Sequence, residues 1–195
     1  MAISNINLAR GGSIFKHFLQ ILLFCGKLSL EEIKEPYRSL IERLLSLLLS
    51  ELGENLVSVV IYGSVARESA QRDSDIDILV FADSLPEGRM ERQKLFLSIE
   101  EPLEPLLNDL WERGFHVDFS PIILSVEEAS RIRPIYLGMV EDSIILYDKG
   151  DFFRRTIDRL RRRLEELGAK RVWVGGKWYW LLKPDIKFGE IVDIE

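Results

Sequence analysis

Two apolar runs, residues 57–62 and 76–81, enclose a segment that opens with Gly63-Ser64 and closes with Asp75-Ile76-Asp77. Each run is short and rich in Val, Ile and Leu, which predicts a buried strand. The small-residue turn after the first predicts a sharp exit into a short helix. Strand side chains alternate between faces, so Asp75 and Asp77 share one face while Ile76 and Ile78 take the other. Two carboxylates side by side at the start of a core strand repel each other and are costly to desolvate. A divalent cation between them removes that cost. Magnesium takes hard oxygen ligands, commonly one or two carboxylates plus substrate phosphates. Gly63 admits close backbone approach, Ser64 supplies a hydroxyl, and the helix start supplies N–H groups, so the turn suits phosphate.

The wording Gly63-Ser64-Val65-Ala66-Arg67 followed by Ser74-Asp75-Ile76-Asp77 resembles the nucleotidyltransferases of the DNA polymerase beta superfamily, and most of all their minimal, stand-alone members. The resemblance covers about residues 55 to 150. It implies a third carboxylate on a later strand, and Asp118, inside the run 115–124, stands in that place. It further implies a mixed β-sheet flanked by helices, an α+β nucleotidyltransferase fold. The implied reaction moves a nucleoside monophosphate from a nucleoside triphosphate, ATP favoured, to an acceptor with release of pyrophosphate. Asp75, Asp77 and Asp118 would hold Mg²⁺, in a two-metal site, and Gly63, Ser64 and Arg67 would bind the nucleotide. Some minimal relatives adenylylate a small helical toxin partner, so a helical protein partner or a homodimer is the expected company. A low-activity binding module and an aminoglycoside-type small-molecule transferase are the alternatives.

Arg67 lies one helical turn after Gly63 and suits either a phosphate or an ion pair with Glu68 or Asp73. His116 shares a strand face with Asp118 by parity, and a structural role is the simpler reading. The arginines between 154 and 163 alternate with Asp158, Glu165 and Glu166, which favours a salt-bridged surface over a nucleic-acid contact. A nucleic-acid acceptor stays open, although a net charge of −6 provides no global attraction to one. Trp173, Trp178, Tyr179 and Trp180 are expected to pack over the sheet or against a partner.

Around this centre the chain divides into three parts. Residues 1–28 form a lead whose apolar stretch, 14–25, is too short and too polar to span a membrane and lacks a signal-peptide cleavage site. Residues 29–150 form the nucleotidyltransferase unit with a preceding helix that Ser29 and Glu32 would open as a capping box, with Pro36 a candidate break. Residues 151–195 form a helix capped by Asp151 and an aromatic-rich extension. Pro102 and Pro105 predict a kink in the helix over 89–111. The single cysteine, Cys25, fits a reducing compartment, hence a cytoplasmic protein.

Overall fold

The computed structural model describes residues 29–175 and 177–194. The apolar stretch 14–25 and Cys25 lie outside the described residues. In chain order the elements are a 3₁₀ turn Ser29–Glu32, α1 Tyr37–Leu52, β1 Leu56–Tyr62, α2 Gly63–Ala66, β2 Ile76–Ala82, α3 Arg89–Glu100, a 3₁₀ turn Glu101–Leu103 and α4 Glu104–Glu112. There follow β3 Phe119–Ser125, α5 Val126–Ser130, α6 Tyr136–Met139, β4 Ile144–Asp148, α7 Phe152–Glu166, β5 Lys170–Val174 and β6 Lys177–Leu181.

The main sheet has four strands in the order β3-β2-β1-β4. β1 runs antiparallel to both β2 and β4, whereas β2 and β3 are parallel. A parallel pair needs a crossover, and α3 with α4 provides it. The sheet is therefore mixed and covered by helices, as the motif implied. Alternation along β2 is clean. Ile76, Ile78 and Val80 belong to a core with Leu40, Ile41, Leu44 and Leu45 of α1 and Phe96 of α3. Leu79 and Phe81 point the other way and pack with Tyr136 of α6 and with Phe153, Ile157 and Leu160 of α7. By the same parity, Asp77 lies on the α6/α7 side. Among the described residues no helix is long and apolar enough to cross a membrane.

Several local expectations change. The first helix begins at Tyr37, and Ser29–Glu32 is a separate 3₁₀ turn. Pro36 makes the break, because it lacks an N–H and restricts the residue before it. The Glu35 carboxylate covers the new helix start by accepting the Ser39 N–H at 3.2 Å and the Ser39 hydroxyl at 2.8 Å. The helix over 89–111 breaks at Glu101–Leu103, beside Pro102. Asp151 makes no side-chain cap on α7. Asp148 caps it instead, accepting the Phe153 N–H at 2.9 Å and the Arg154 N–H at 3.0 Å. Ser125 and Glu128 form a capping box at the start of α5.

The aromatic extension folds back on its own chain. β5 and β6 form a two-stranded hairpin. Trp180 donates its indole N–H to the Leu137 carbonyl at 2.9 Å. Arg171 lies 4.3 Å over the Trp178 ring and pairs with Glu141 and Asp142 at 2.6 and 2.7 Å.

Candidate active site

The site is assembled where β1 ends and β2 begins. Asp77 is the cross-strand partner of Tyr62, the residue before Gly63. Gly63 has φ +73°, a conformation that side chains rarely adopt, and a Cβ added there would lie 1.9 Å from Asp77 Oδ2. The turn therefore needs glycine twice, for its backbone angle and for room beside the carboxylate. α2 follows as a single turn. The Ser64 carbonyl accepts the Ser69 N–H at 2.9 Å, which folds the chain back towards β2.

Asp75 is exposed and Asp77 half-buried. Burial, and then the charge of Asp75, hold the Asp77 carboxyl above its usual range, and Arg67 opposes them. Asp77 thus feels both the Asp75 carboxylate and the Arg67 guanidinium. Of the two roles open to Arg67, the pairing with Glu68 is taken by Lys34, which meets Glu68 at 2.6 Å.

Asp118 stands one residue before β3. The strand expected over 115–124 starts only at Phe119, because the preceding N–H groups bond elsewhere. Phe115 donates to the Leu110 carbonyl at 2.9 Å and His116 to the Arg72 carbonyl at 2.7 Å. The Asp118 carbonyl accepts the Ile76 N–H at 2.8 Å. Ile76 pairs with Phe119 and Asp77 with Ser120, so Asp118 stands beside Asp75, one position earlier in the same parallel register. The Asp118 carboxylate accepts the Phe119 N–H at 2.8 Å. Among the described residues no three His, Cys, Asp or Glu side chains are gathered as a ready metal cage. Asp75 and Asp77, as hard oxygen donors beside a glycine cradle, fit magnesium in the form that completes its shell with phosphate and water.

Two further groups border the site. Glu100, at the end of α3, is pushed up to about 7 by burial and then by the charge of Asp118. Nothing in its sequence spacing signals this, since the crossover brings it there. Tyr62 is raised to about 12, by burial first and Asp77 second. His116 stacks on Trp111, ring centroids 4.1 Å apart, in keeping with a structural role. Several α7 arginines find partners within the chain. Arg161 meets Asp158 at 2.5 Å, Arg163 meets Glu166 at 3.2 Å, and Arg159 donates to the Ser130 carbonyl at 2.9 Å.

Residues 41–136 match the nucleotidyltransferase domain family. A chain of Methanocaldococcus jannaschii, named as a putative protein adenylyltransferase, is 27% identical over 132 residues, 67% of this chain and 83% of its own. A crystal structure of a toxin–antitoxin with AMP-PNP is 19% identical, covers 65% of this chain and 91% of its own, and has a TM-score of 0.41. A toxin–antitoxin MntA–HpeT mutant is 18% identical over the same shares, with a TM-score of 0.42. The Gly63-Ser64 turn and the Asp75-Ile76-Asp77 segment both lie inside the residues that match that family. The protein is an enzyme of the nucleotidyltransferase class.

Proposed function

We propose that this protein transfers the nucleoside monophosphate of an NTP, with ATP favoured, to a hydroxyl of a protein acceptor. The bond between the α-phosphorus and the oxygen bridging it to the β-phosphorus breaks, the acceptor hydroxyl releases its proton to solvent as its oxygen forms the new phosphoester, and pyrophosphate leaves. The close approach of Gly63 and Asp77 supports this reading, because it leaves the glycine turn open directly beside a carboxylate. Asp75 and Asp77 would hold Mg²⁺ against the triphosphate, and Asp118 would join a second ion on the acceptor side. Bound there, Mg²⁺ supplies charge neutralisation at the reacting phosphoryl group. Gly63 and Ser64 contact the phosphates, and Arg67 adds positive charge beside them. The protein acceptor is suggested by the name of the methanogen relative.

The test is incubation with ATP labelled at the α-phosphate, with and without Mg²⁺, alone and with proteins encoded nearby. Label should pass to protein only with Mg²⁺, and Asp75→Asn and Asp77→Asn should abolish it. Transfer to small molecules alone would redirect the acceptor. Magnesium-independent nucleotide binding, unchanged in both variants, would sink the reading.

A further inference from the structure

Asp75 is exposed, and so are Gln71, Arg72 and Asp73 before it. Their side chains are not packed into the core, so the position of Asp75 depends on backbone bonds. Gln71 and Ser74 close a turn in both directions. The Gln71 carbonyl accepts the Ser74 N–H at 3.1 Å, and the Ser74 hydroxyl accepts the Gln71 N–H at 2.9 Å. Asp75 is the next residue. On the β3 side the turn is held through Arg72, whose carbonyl accepts the His116 N–H at 2.7 Å and whose guanidinium lies 5.3 Å over the Phe115 ring.

On the other side a side chain reaches it from the core. Tyr37, the first residue of α1, is 6% exposed, and its hydroxyl donates to the same Gln71 carbonyl. We propose that Tyr37 is a positioning residue: its hydroxyl fixes the Gln71–Ser74 turn against α1 and so places Asp75 for the metal ion. This rests on the proposed role of Asp75. Burial, with the charge of Asp73 second, raises the Tyr37 hydroxyl above its ordinary value, so it remains a donor. Residues that orient a metal ligand commonly matter about 10- to 100-fold in metal affinity.

The test compares Tyr37→Phe with Tyr136→Phe. Tyr136 is also buried, and its hydroxyl donates to the Ala129 carbonyl at 3.2 Å, away from the turn. Mg²⁺-dependent ATP binding is followed by calorimetry, and amide hydrogen exchange is followed over residues 71–77. Tyr37→Phe should raise the half-saturating Mg²⁺ about tenfold and speed exchange over 71–77, whereas Tyr136→Phe should do neither. A Mg²⁺ dependence unchanged in Tyr37→Phe, or shifted equally in Tyr136→Phe, overturns the proposal. If the parent protein binds no ATP with Mg²⁺, the proposed function fails separately, and unchanged exchange in Tyr37→Phe still overturns the positioning role. Should Tyr37→Phe not fold, Ser74→Ala loosens the same turn from the surface and must reproduce the Mg²⁺ shift; parental behaviour there overturns the proposal.

Discussion

Ser58 donates its hydroxyl to Asp148 at 2.6 Å across β1 and β4, in the buried interior of the sheet. The same carboxylate accepts two N–H groups at the start of α7. One side chain thus ties the central strand, the edge strand and the following helix together. Asp148→Ala should destabilise the protein by about 2 to 4 kcal/mol, since it strands a buried hydroxyl and two helix N–H groups. Asp151→Ala should cost less than about 0.5 kcal/mol, as a surface change without a cap bond. Urea denaturation of the two variants checks the order; equal losses would refute the assignment of the cap.

Gly63 and Gly88 both have positive φ, at +73° and +84°, but of these two only position 63 brings an added Cβ against Asp77. Alanine at either site should cost roughly 1 kcal/mol in backbone strain. Only Gly63→Ala should also weaken Mg²⁺-dependent ATP binding, by about tenfold or 1.4 kcal/mol. Calorimetry on both variants separates the steric effect from the strain.

Glu100 gives a pH dependence with a defined sign. Its folded value, about 7, exceeds its ordinary 4.5, so the folded chain retains a proton that the unfolded chain releases between those values. The stability linked to that proton is complete below pH 4.5 and is lost as pH rises through 7. Relative to Glu100→Gln, the parent should lose stability across this window and then hold a constant difference. Parallel profiles for the two proteins would contradict it.

Arg171 anchors the C-terminal hairpin through Glu141, Asp142 and Trp178. Arg171→Ala leaves Asp142 without this partner and should cost about 2 kcal/mol. Limited proteolysis should then cut first near Gly168 or Gly175. Cleavage elsewhere, at the parental rate, would show that the hairpin is held by other contacts.

The core of the site is legible in the chain because its signals are local. Gly63 opens α2 directly after β1, Asp75 ends the loop that follows and Asp77 lies on β2, so the signals are close in the chain, and strand parity predicts the two carboxylates on one face. The Pro102 break and the Ser125 capping box are likewise short-range, and the break appears where expected. Asp118 is legible in position but not in its surroundings. Its strand begins later than the apolar run suggests because His116 and Phe115 bond to a loop and a helix end. Asp151 has a cap's place in the chain, yet Asp148 takes the role because the strand end aims its carboxylate at the helix N–H groups.

By itself the sequence determined the class of chemistry, since a Gly-Ser turn and an Asp-x-Asp strand start are patterns of adjacent residues and depend on backbone periodicity. Only the tertiary structure decided which groups surround them. Glu100 comes to Asp118 through the helical crossover, Tyr37 reaches Gln71 from 34 residues away, and Gly63 meets Asp77 by antiparallel pairing. Such contacts follow from chain packing, which no local spacing encodes.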